Sequence, residues 1–558
     1  MTPALGALRF VHGLAPNRCL SSRPTDWFEF SKGTKGRSTP SLFRMNHPES
    51  HRMPTMPDVA LPSRERLLRL VSERFAGRKL VVVSNREPII HERAADGGHR
   101  VLHPASGMTT ALGPITEACH GVWVAHGSGS ADFDVTDARD GLDWPPGSPT
   151  HRLRRVRLTA DVERGYYYGL SNEGIWPLCH IAYTQPLFRH GDWESYRVAN
   201  RAFADAVLDE VGDEPAVVLV QDYHLGLVPR MLRRERPDLL IALFWHIPWP
   251  NREVMRVFPW QGDFLRGMLG SDLVGFHVQH HCNNFLDTVD RTVESVVDYE
   301  HVRAIREGRS TYVRPFPISI DVDAFADAAR RRTFEFTFPD LAAAVHGKLL
   351  LLGVDRLDYT KGITHRLRVI EALLEQDASL RGRLCFVQVG APTRTVIPRY
   401  ADLAREVREL VEHVNRRFST SDWRPVHYLH EHHDREELAV LFRRADACLV
   451  TSLHDGMNLV AKEYIAAHAG APGTLVLSKF TGAARELHEA CLINPYDIEG
   501  TAAVVAESLR LAPSARAEAM RRLEERIRAH DIYDWAHDIL RSLDDVARRK
   551  DAQRFPGN

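Results

Sequence analysis

The chain has almost no net charge, no long apolar run and no paired cysteines, and each absence removes a class of function. Lys and Arg number 72 against 73 Asp and Glu, a formal net charge of −1 over 558 residues. A protein whose main partner is nucleic acid or an anionic membrane surface carries a clear positive excess, so neither is expected here. No apolar stretch approaches the roughly 18 residues of a bilayer span, and no transmembrane helix is expected. The seven cysteines (Cys19, Cys119, Cys179, Cys282, Cys385, Cys448 and Cys491) are scattered, odd in number and without a CxxC pair. That usage fits reduced, mostly buried thiols in a cytoplasmic enzyme better than a disulfide framework.

What is present suffices for more than one core. At 44% hydrophobic and 26% charged over this length, two large domains are expected. Residues 1–56 stand apart: they are rich in Ser, Pro, Arg and Gly, lack periodicity, and carry eight Lys/Arg against three Asp/Glu. They read as a disordered N-terminal extension.

A strand-helix rhythm follows. KLVVVSNREP holds an apolar β-branched strand ending at Ser84-Asn85-Arg86, and HPASGMTTAL turns into a helix. GVWVAHGSG, AVVLVQDYHL and LLIALFWHIPWP supply further strands, the last two ending at Asp222 and His246. RGYYYGLSNEGIWPLCH is dense in aromatics without helix or strand period, and reads as a loop whose rings either pack or stack on a sugar. After about Asp323 a second cycle begins with KLLLLGVDRLDYTKGI. Alternating strands and helices imply parallel sheets with right-handed crossovers, hence α/β architecture with two Rossmann-like domains facing a central cleft. The expected boundaries are 57–323, 324–530, and a C-terminal helix over 531–558.

The stretch TSLHDGMNLVAKEY turns from a strand into a helix at Asp455-Gly456. Free amides and the positive end of a helix dipole at such a turn suit a diphosphate. Glu463 lies one turn beyond Leu459, where a carboxylate can accept ribose hydroxyls. An ordinary strand-to-helix connection with a solvated Glu would read the same on this stretch alone. Arg356 and Lys361 follow another strand end and suit a diphosphate leaving group. The competing reading pairs Arg356 with Asp355 or Asp358 at the surface.

Taken together, SNREP, YYYGLSNEGIWP, QDYHL, HIPWP, GVDRLDYTKGI, APTR and DGMNLVAKEY, in this order and spacing, resemble the trehalose-6-phosphate synthases of glycosyltransferase family 20, over roughly residues 78 to 545. The resemblance implies a GT-B fold and retaining glucosyl transfer from a nucleoside diphosphate glucose (UDP- or GDP-glucose) to glucose 6-phosphate, without cofactor or metal. It implies donor contacts from Gly107, Arg356, Lys361, His433 and the run Leu459, Val460, Ala461, Lys462 and Glu463. Arg86, Tyr167, Trp176, Asp222 and Arg394 would form the acceptor pocket. His246, Asp222, Arg356, Lys361 and Asp455 would serve the reaction, with Asp455 on the donor sugar's hydroxyls. Homo-oligomerisation is compatible with this reading.

Two positions depart from the family's pattern. Ser106-Gly107 stands where Gly-Gly is common, and AHGSG, with His126, where many members carry an acceptor-side Trp. A protonated His126 could still bond a phosphate. Three alternatives follow: a sister transferase using another phosphorylated acceptor such as glycerol 3-phosphate, a catalytically silent sugar-phosphate-binding homologue, and a hydrolase in which Asp222 and His246 form an acid-base couple. The groups His277, His280, His281, Cys282 and His430, His432, His433 lack the paired spacing of a zinc site and are expected on helix faces or loops.

Overall fold

The computed structural model describes residues 61–94, 96–103, 107–468 and 470–554; the expected extension over 1–56 and Ser106 lie outside them. Apolar β-branched runs build two large sheets. Leu80 and Val82, with Val217 and Leu219, pack into one core. Val81 and Val83, with Val218 and Val220, pack into another. Side chains alternate along a strand, so a strand apolar at every position is buried on both faces, as parallel sheets covered by helices require. Each such side chain contributes about 1.5–3 kcal/mol.

The first sheet has ten strands. Its parallel centre runs, in spatial order, Arg309–Pro315, Leu273–Phe276, Leu240–Phe244, Ala216–Gln221, Lys79–Ser84, Val122–His126 and His151–Val156. Antiparallel strands flank it: Val296–Asp298 and Arg303–Arg306 at one edge, Gly141–Trp144 at the other. The second sheet is parallel throughout, in the order Val426–Leu429, Leu384–Ala391, Leu349–Arg356, Ala447–Val450, Thr474–Ser478 and Cys491–Ile493.

Both sheets start in the middle and then reverse their direction of growth. Lys79–Ser84 lies between Val122–His126 and Ala216–Gln221, and Leu349–Arg356 lies between Leu384–Ala391 and Ala447–Val450. At such a reversal the two flanking connections leave on opposite sides, opening a crevice at the carboxyl ends of the strands where ligands bind.

The aromatic stretch read above as a loop is helical. Arg164–Ile175 forms a twelve-residue π-helix that continues into the short α-helix Trp176–His180. A π-helix closes its hydrogen bonds five residues apart, so its buried positions follow neither the α nor the β period. Its glycines set the packing: a Cβ at Gly165 would come within 2.4 Å of Ser195 Oγ, and one at Gly169 within 2.5 Å of Asp192. Both neighbours belong to the helix His190–Val211.

The last helix, Ile532–Arg554, returns to the first sheet. Trp535 meets Phe244 edge-on at 5.0 Å, Lys550 pairs with Asp272, and Asp534 pairs with Arg66 of the helix Ser63–Arg74. Among the described residues no helix is long and apolar enough to cross a membrane.

Candidate functional site

Both reversal points open onto one cleft of about 350 Å³, lined by residues from each half of the chain. Arg86, Tyr167, Trp176, Asp222, His246, Arg356, Lys361, Arg394, His433, Asp455, Leu459, Val460 and Glu463 all line it. Gly107 opens the helix Gly107–Ala118, one residue before the cleft-lining Met108.

On the side of the second sheet, Leu459–His468 begins just past the strand Ala447–Val450. Asn458, held at φ 105°, caps the helix by accepting from the Ala461 amide at 3.1 Å. First-turn amides have no partner within a helix, and this cap consumes that of Ala461, leaving the cleft-lining Leu459 and Val460 to offer theirs. Lys462 departs from the expected donor set: its ammonium is buried, donating to Ile318 O at 2.8 Å and pairing with Glu486 at 2.7 Å. Its side chain ties the helix to the other half of the chain instead of facing the cleft. Glu463 does face the cleft, and burial raises its carboxyl to about 7 against the weaker opposing charge of Arg435.

Lys361 donates to Asp455 Oδ2 at 2.5 Å, and Ser452 Oγ and Asn458 Nδ2 reach the same oxygen at 3.2 Å. Burial alone would raise the Asp455 carboxyl, but Lys361 holds it far below the usual carboxylate range. Arg356 pairs with neither acid proposed for it. Asp355 is taken by Arg366 at 2.6 Å and Asp358 by Arg394 at 3.2 Å. Among the described residues Arg356 has no carboxylate partner, and its guanidinium lies 5.8 Å from the Trp176 ring. Burial, then the charges of Arg394 and Arg86, lower its pKa, the signature of a cation kept for an incoming anion.

Three phenols and a carboxylate fix Arg86 and Arg394, the two arginines expected at the acceptor. Arg86 donates to Tyr167 Oη at 3.3 Å. Arg394 donates to Tyr400 Oη at 2.7 Å and Tyr223 Oη at 3.3 Å, and stacks 4.5 Å above Trp176. Burial opposes ionisation of Tyr167, but Arg86 and Arg394 outweigh it and bring the phenol down to about 7. Its ring stacks on His224 at 5.6 Å. Two guanidiniums and a phenol converging in a half-buried pocket can grip a phosphate through several charge-assisted bonds.

Asp222 and His246 do not form an acid-base couple. His246 Nε2 lies 2.8 Å from Gln221 Oε1. An amide oxygen only accepts, so Nε2 carries the proton. Burial drives the imidazole down to about 3, keeping it neutral. Asp222, at φ 72°, accepts instead from the His246 backbone amide at 3.2 Å, and burial raises its carboxyl to about 7. Strained backbone of this kind gathers at functional sites.

Comparison with known proteins finds the same two-sheet architecture. The profile of glycosyltransferase family 20 matches residues 78–545. The chain belongs to that family. A trehalose-6-phosphate synthase of Mycobacterium avium (strain 104) is 39% identical over 477 residues, spanning 84% of this chain and 96% of that protein. One from Mycobacterium tuberculosis (strain ATCC 25618 / H37Rv) is 38% identical over 480 residues, spanning 85% and 96%. Among solved structures, the UDP-forming α,α-trehalose-phosphate synthase of Burkholderia xenovorans in complex with glucose-6-phosphate superposes with TM-score 0.74 at 30% identity, covering 83% of this chain and all of that one. The E. coli protein bound with UDP-2-fluoro glucose gives 0.75 at 29% identity, covering 84% and 99%. The fold is accordingly the GT-B arrangement of a glycosyltransferase.

Within this family 20 enzyme, His126 does not take the place of the acceptor-side aromatic. It is not among the cleft-lining residues, and burial lowers its imidazole to about 4, so it is neutral where a phosphate contact would need charge. The two His groups gather no metal set: among the described residues no cluster of three or more His, Cys, Asp or Glu is placed to hold an ion. His277 instead braces the first half, lying 3.1 Å from His246 O and accepting from the Ile318 amide at 3.4 Å. His433 sits 3.1 Å from Glu437 with its ring 5.5 Å from Phe338. The six described cysteines are all free.

Sequence reading missed Asn85, Tyr223, His224, Asn458 and Asp358. The first four line the cleft, and Asp358 fixes Arg394. Tyr223, His224 and Asp358 fall inside the quoted motifs QDYHL and GVDRLDYTKGI, so the signal was present but unassigned. The pairing of Asp358 with Arg394, 36 residues apart, has no local signature.

Proposed function

We propose that this family 20 glycosyltransferase makes α,α-trehalose 6-phosphate from a nucleoside diphosphate glucose and glucose 6-phosphate, with retention at the anomeric carbon. The observation that carries the reading is that one cleft gathers two sets of anion-binding groups: Arg356, Lys361 and the Leu459–Val460 amides, and Arg86, Tyr167 and Arg394. Relatives solved with glucose-6-phosphate and with UDP-2-fluoro glucose support the same reading. In this reading residues 57–323 bind the acceptor and 324–530 the donor, while 531–558 return to the first. We also propose that the chain is a cytoplasmic enzyme acting on small molecules.

Charge accounts for the roles. As the donor bond breaks, negative charge grows on the diphosphate, and Arg356 with Lys361 stabilises it in a water-poor site. Lys361 exchanges part of its bond to Asp455 for the diphosphate, freeing that carboxylate to accept donor-sugar hydroxyls. Glu463 holds the ribose and His433 lies beside the base. The protonated Nε2 of His246 leaves its Nδ1 as an acceptor next to the donor sugar. No carboxylate nucleophile is assigned: the departing diphosphate takes up the acceptor hydroxyl's proton.

Because His126 is buried away from the cleft, a smaller phosphorylated acceptor such as glycerol 3-phosphate is the second reading. Offering the purified chain UDP-glucose with equal glucose 6-phosphate and glycerol 3-phosphate, and identifying products by mass spectrometry, separates the two. Trehalose 6-phosphate in excess supports the first, and glucosylglycerol phosphate in excess replaces it with the second.

A further inference from the structure

Behind the acceptor side of the cleft lies a cluster of buried charges that the proposed reaction does not use. Arg155 is fully buried, with Nε 3.0 Å from Glu87 Oε2 and a terminal nitrogen 2.9 Å from Asp132 Oδ1. The same guanidinium donates to His91 Nδ1 at 2.8 Å. Asp132 Oδ1 also accepts from the His91 amide at 2.7 Å, and Asp132 Oδ2 from the Gly129 amide at 2.6 Å. Glu87 Oε1 accepts from the Ser128 amide at 2.9 Å and from Ser128 Oγ at 3.1 Å.

The network joins three segments that the sequence keeps apart. Arg155 comes from the strand His151–Val156, and Glu87 follows Arg86 in SNREP. Ser128, Gly129 and Asp132 come from the connection after Val122–His126. That connection is pressed flat. A Cβ at Gly129 would fall 2.4 Å from His91 O, and one at Gly127 would fall 2.8 Å from Phe133 and 3.4 Å from Arg155. The Ala131 amide donates to His91 O at 2.9 Å and the Arg93 amide to Ser130 Oγ at 2.9 Å. From 127 to 132 no side chain lines the cleft.

Arg86 is held from two sides as a result. Ser84 Oγ, itself accepting from Trp123 Nε1 at 2.8 Å, donates to Arg86 O at 2.7 Å. On the next residue, Arg155 secures the Glu87 carboxyl. We propose that Arg155, acting through Glu87 and the 127–132 connection, is a positioning residue for acceptor binding: it sets the place of Arg86 in the cleft and keeps that connection out of it. Among the described residues none of the bonds named above reaches the donor side, so disturbance of the cluster is expected at the acceptor.

The inference rests on the proposed assignment of Arg86 to the acceptor, and two independent readouts separate their failures. The first is binding of glucose 6-phosphate, measured by calorimetry without donor; the second is the pair of KM values under turnover with UDP-glucose. Arg155→Lys keeps the charge but loses the fork that spans two carboxyls. It is expected to weaken glucose 6-phosphate binding and raise the acceptor KM roughly tenfold, as loss of charge-assisted hydrogen bonds does, with donor KM within about twofold. Ser128→Ala removes one bond to Glu87 and leaves the buried charges intact. It provides a folded second variant, expected to shift the same two quantities by roughly threefold. Equal changes in both KM values, or a lowered Tm with wild-type acceptor binding in both variants, would overturn the proposal. Wild-type chain that binds glucose 6-phosphate yet yields no trehalose 6-phosphate would overturn the activity instead, and the binding comparison would still decide the role of Arg155.

Discussion

Arg356, Arg394 and Arg86 bring three positive charges to one cleft, and they differ in what holds them. Arg394 is buried against Asp358, Tyr400 and Tyr223, whereas Arg356 has no carboxylate partner among the described residues. Removing Arg356 therefore relieves repulsion and breaks no ion pair. Arg356→Ala is expected to lower kcat/KM by about 10²–10³ while leaving Tm equal or higher, read by steady-state kinetics and thermal unfolding. Arg394→Ala behaves differently, because it strands the fully buried Asp358. Loss of about 3–5 kcal/mol of stability accompanies the rise in acceptor KM, and a variant with unchanged denaturant midpoint would contradict that tie. Glu463 gives a pH signature. Its carboxyl ionises at about 7 in the folded chain, against the ordinary 4.5. Between these values the folded state keeps a proton that the unfolded state has lost, so stability falls as pH rises from 4.5 to 7 and stays reduced above. Glu463→Gln is expected to raise Tm by roughly 1–3 °C at pH 8, with no gain at pH 4, and to weaken donor binding.

At the scale of elements, close backbone approach and one long helix hold the cleft together. Gly456 faces His246 O so tightly that a Cβ would lie 2.2 Å from it, and Gly482 in turn faces Gly456 O at 2.0 Å. Gly456→Ala must part the two halves where Gly456 meets His246, and a fall in activity far exceeding the fall in Tm is the expected result. Trp535 supports the same place from behind through Phe244. Trp535→Ala should cost about 3–5 kcal/mol, checked by denaturant unfolding. The strands and their polar ends were legible in the sequence, because a sheet buried on both faces leaves unbroken apolar runs that stop where ligand groups begin. The π-helix Arg164–Ile175 was not, since its repeat matches neither familiar period and its glycines imitate a loop. Nor were the antiparallel edges, whose short strands carry no apolar run. The inward turn of Lys462 depends on Glu486 and Ile318 O, partners that no local pattern names.

For the whole molecule, two sheets that each reverse after two parallel strands have been added on one side present their carboxyl ends to a shared cleft. Topology thus explains why residues as distant as Arg86 and Glu463 line one cleft. Contacts that join the halves, such as Lys462 to Ile318 O, Arg394 to Tyr223, and His454 to His180 O at 2.8 Å, lie around that cleft, so substrate binding and the relation of the halves are coupled. The motifs made the cleft-lining strand ends readable, whereas the network around Arg155 emerged only once residues 87, 132 and 155 were brought together by the fold. The central claim is retaining transfer between two anion grips, and the measurement that tests it most directly is proton NMR of the product formed from UDP-glucose and glucose 6-phosphate. The account predicts a single non-reducing disaccharide phosphate with both anomeric protons in the α configuration. An inverted or reducing linkage, or release of free glucose in place of a disaccharide, would contradict it.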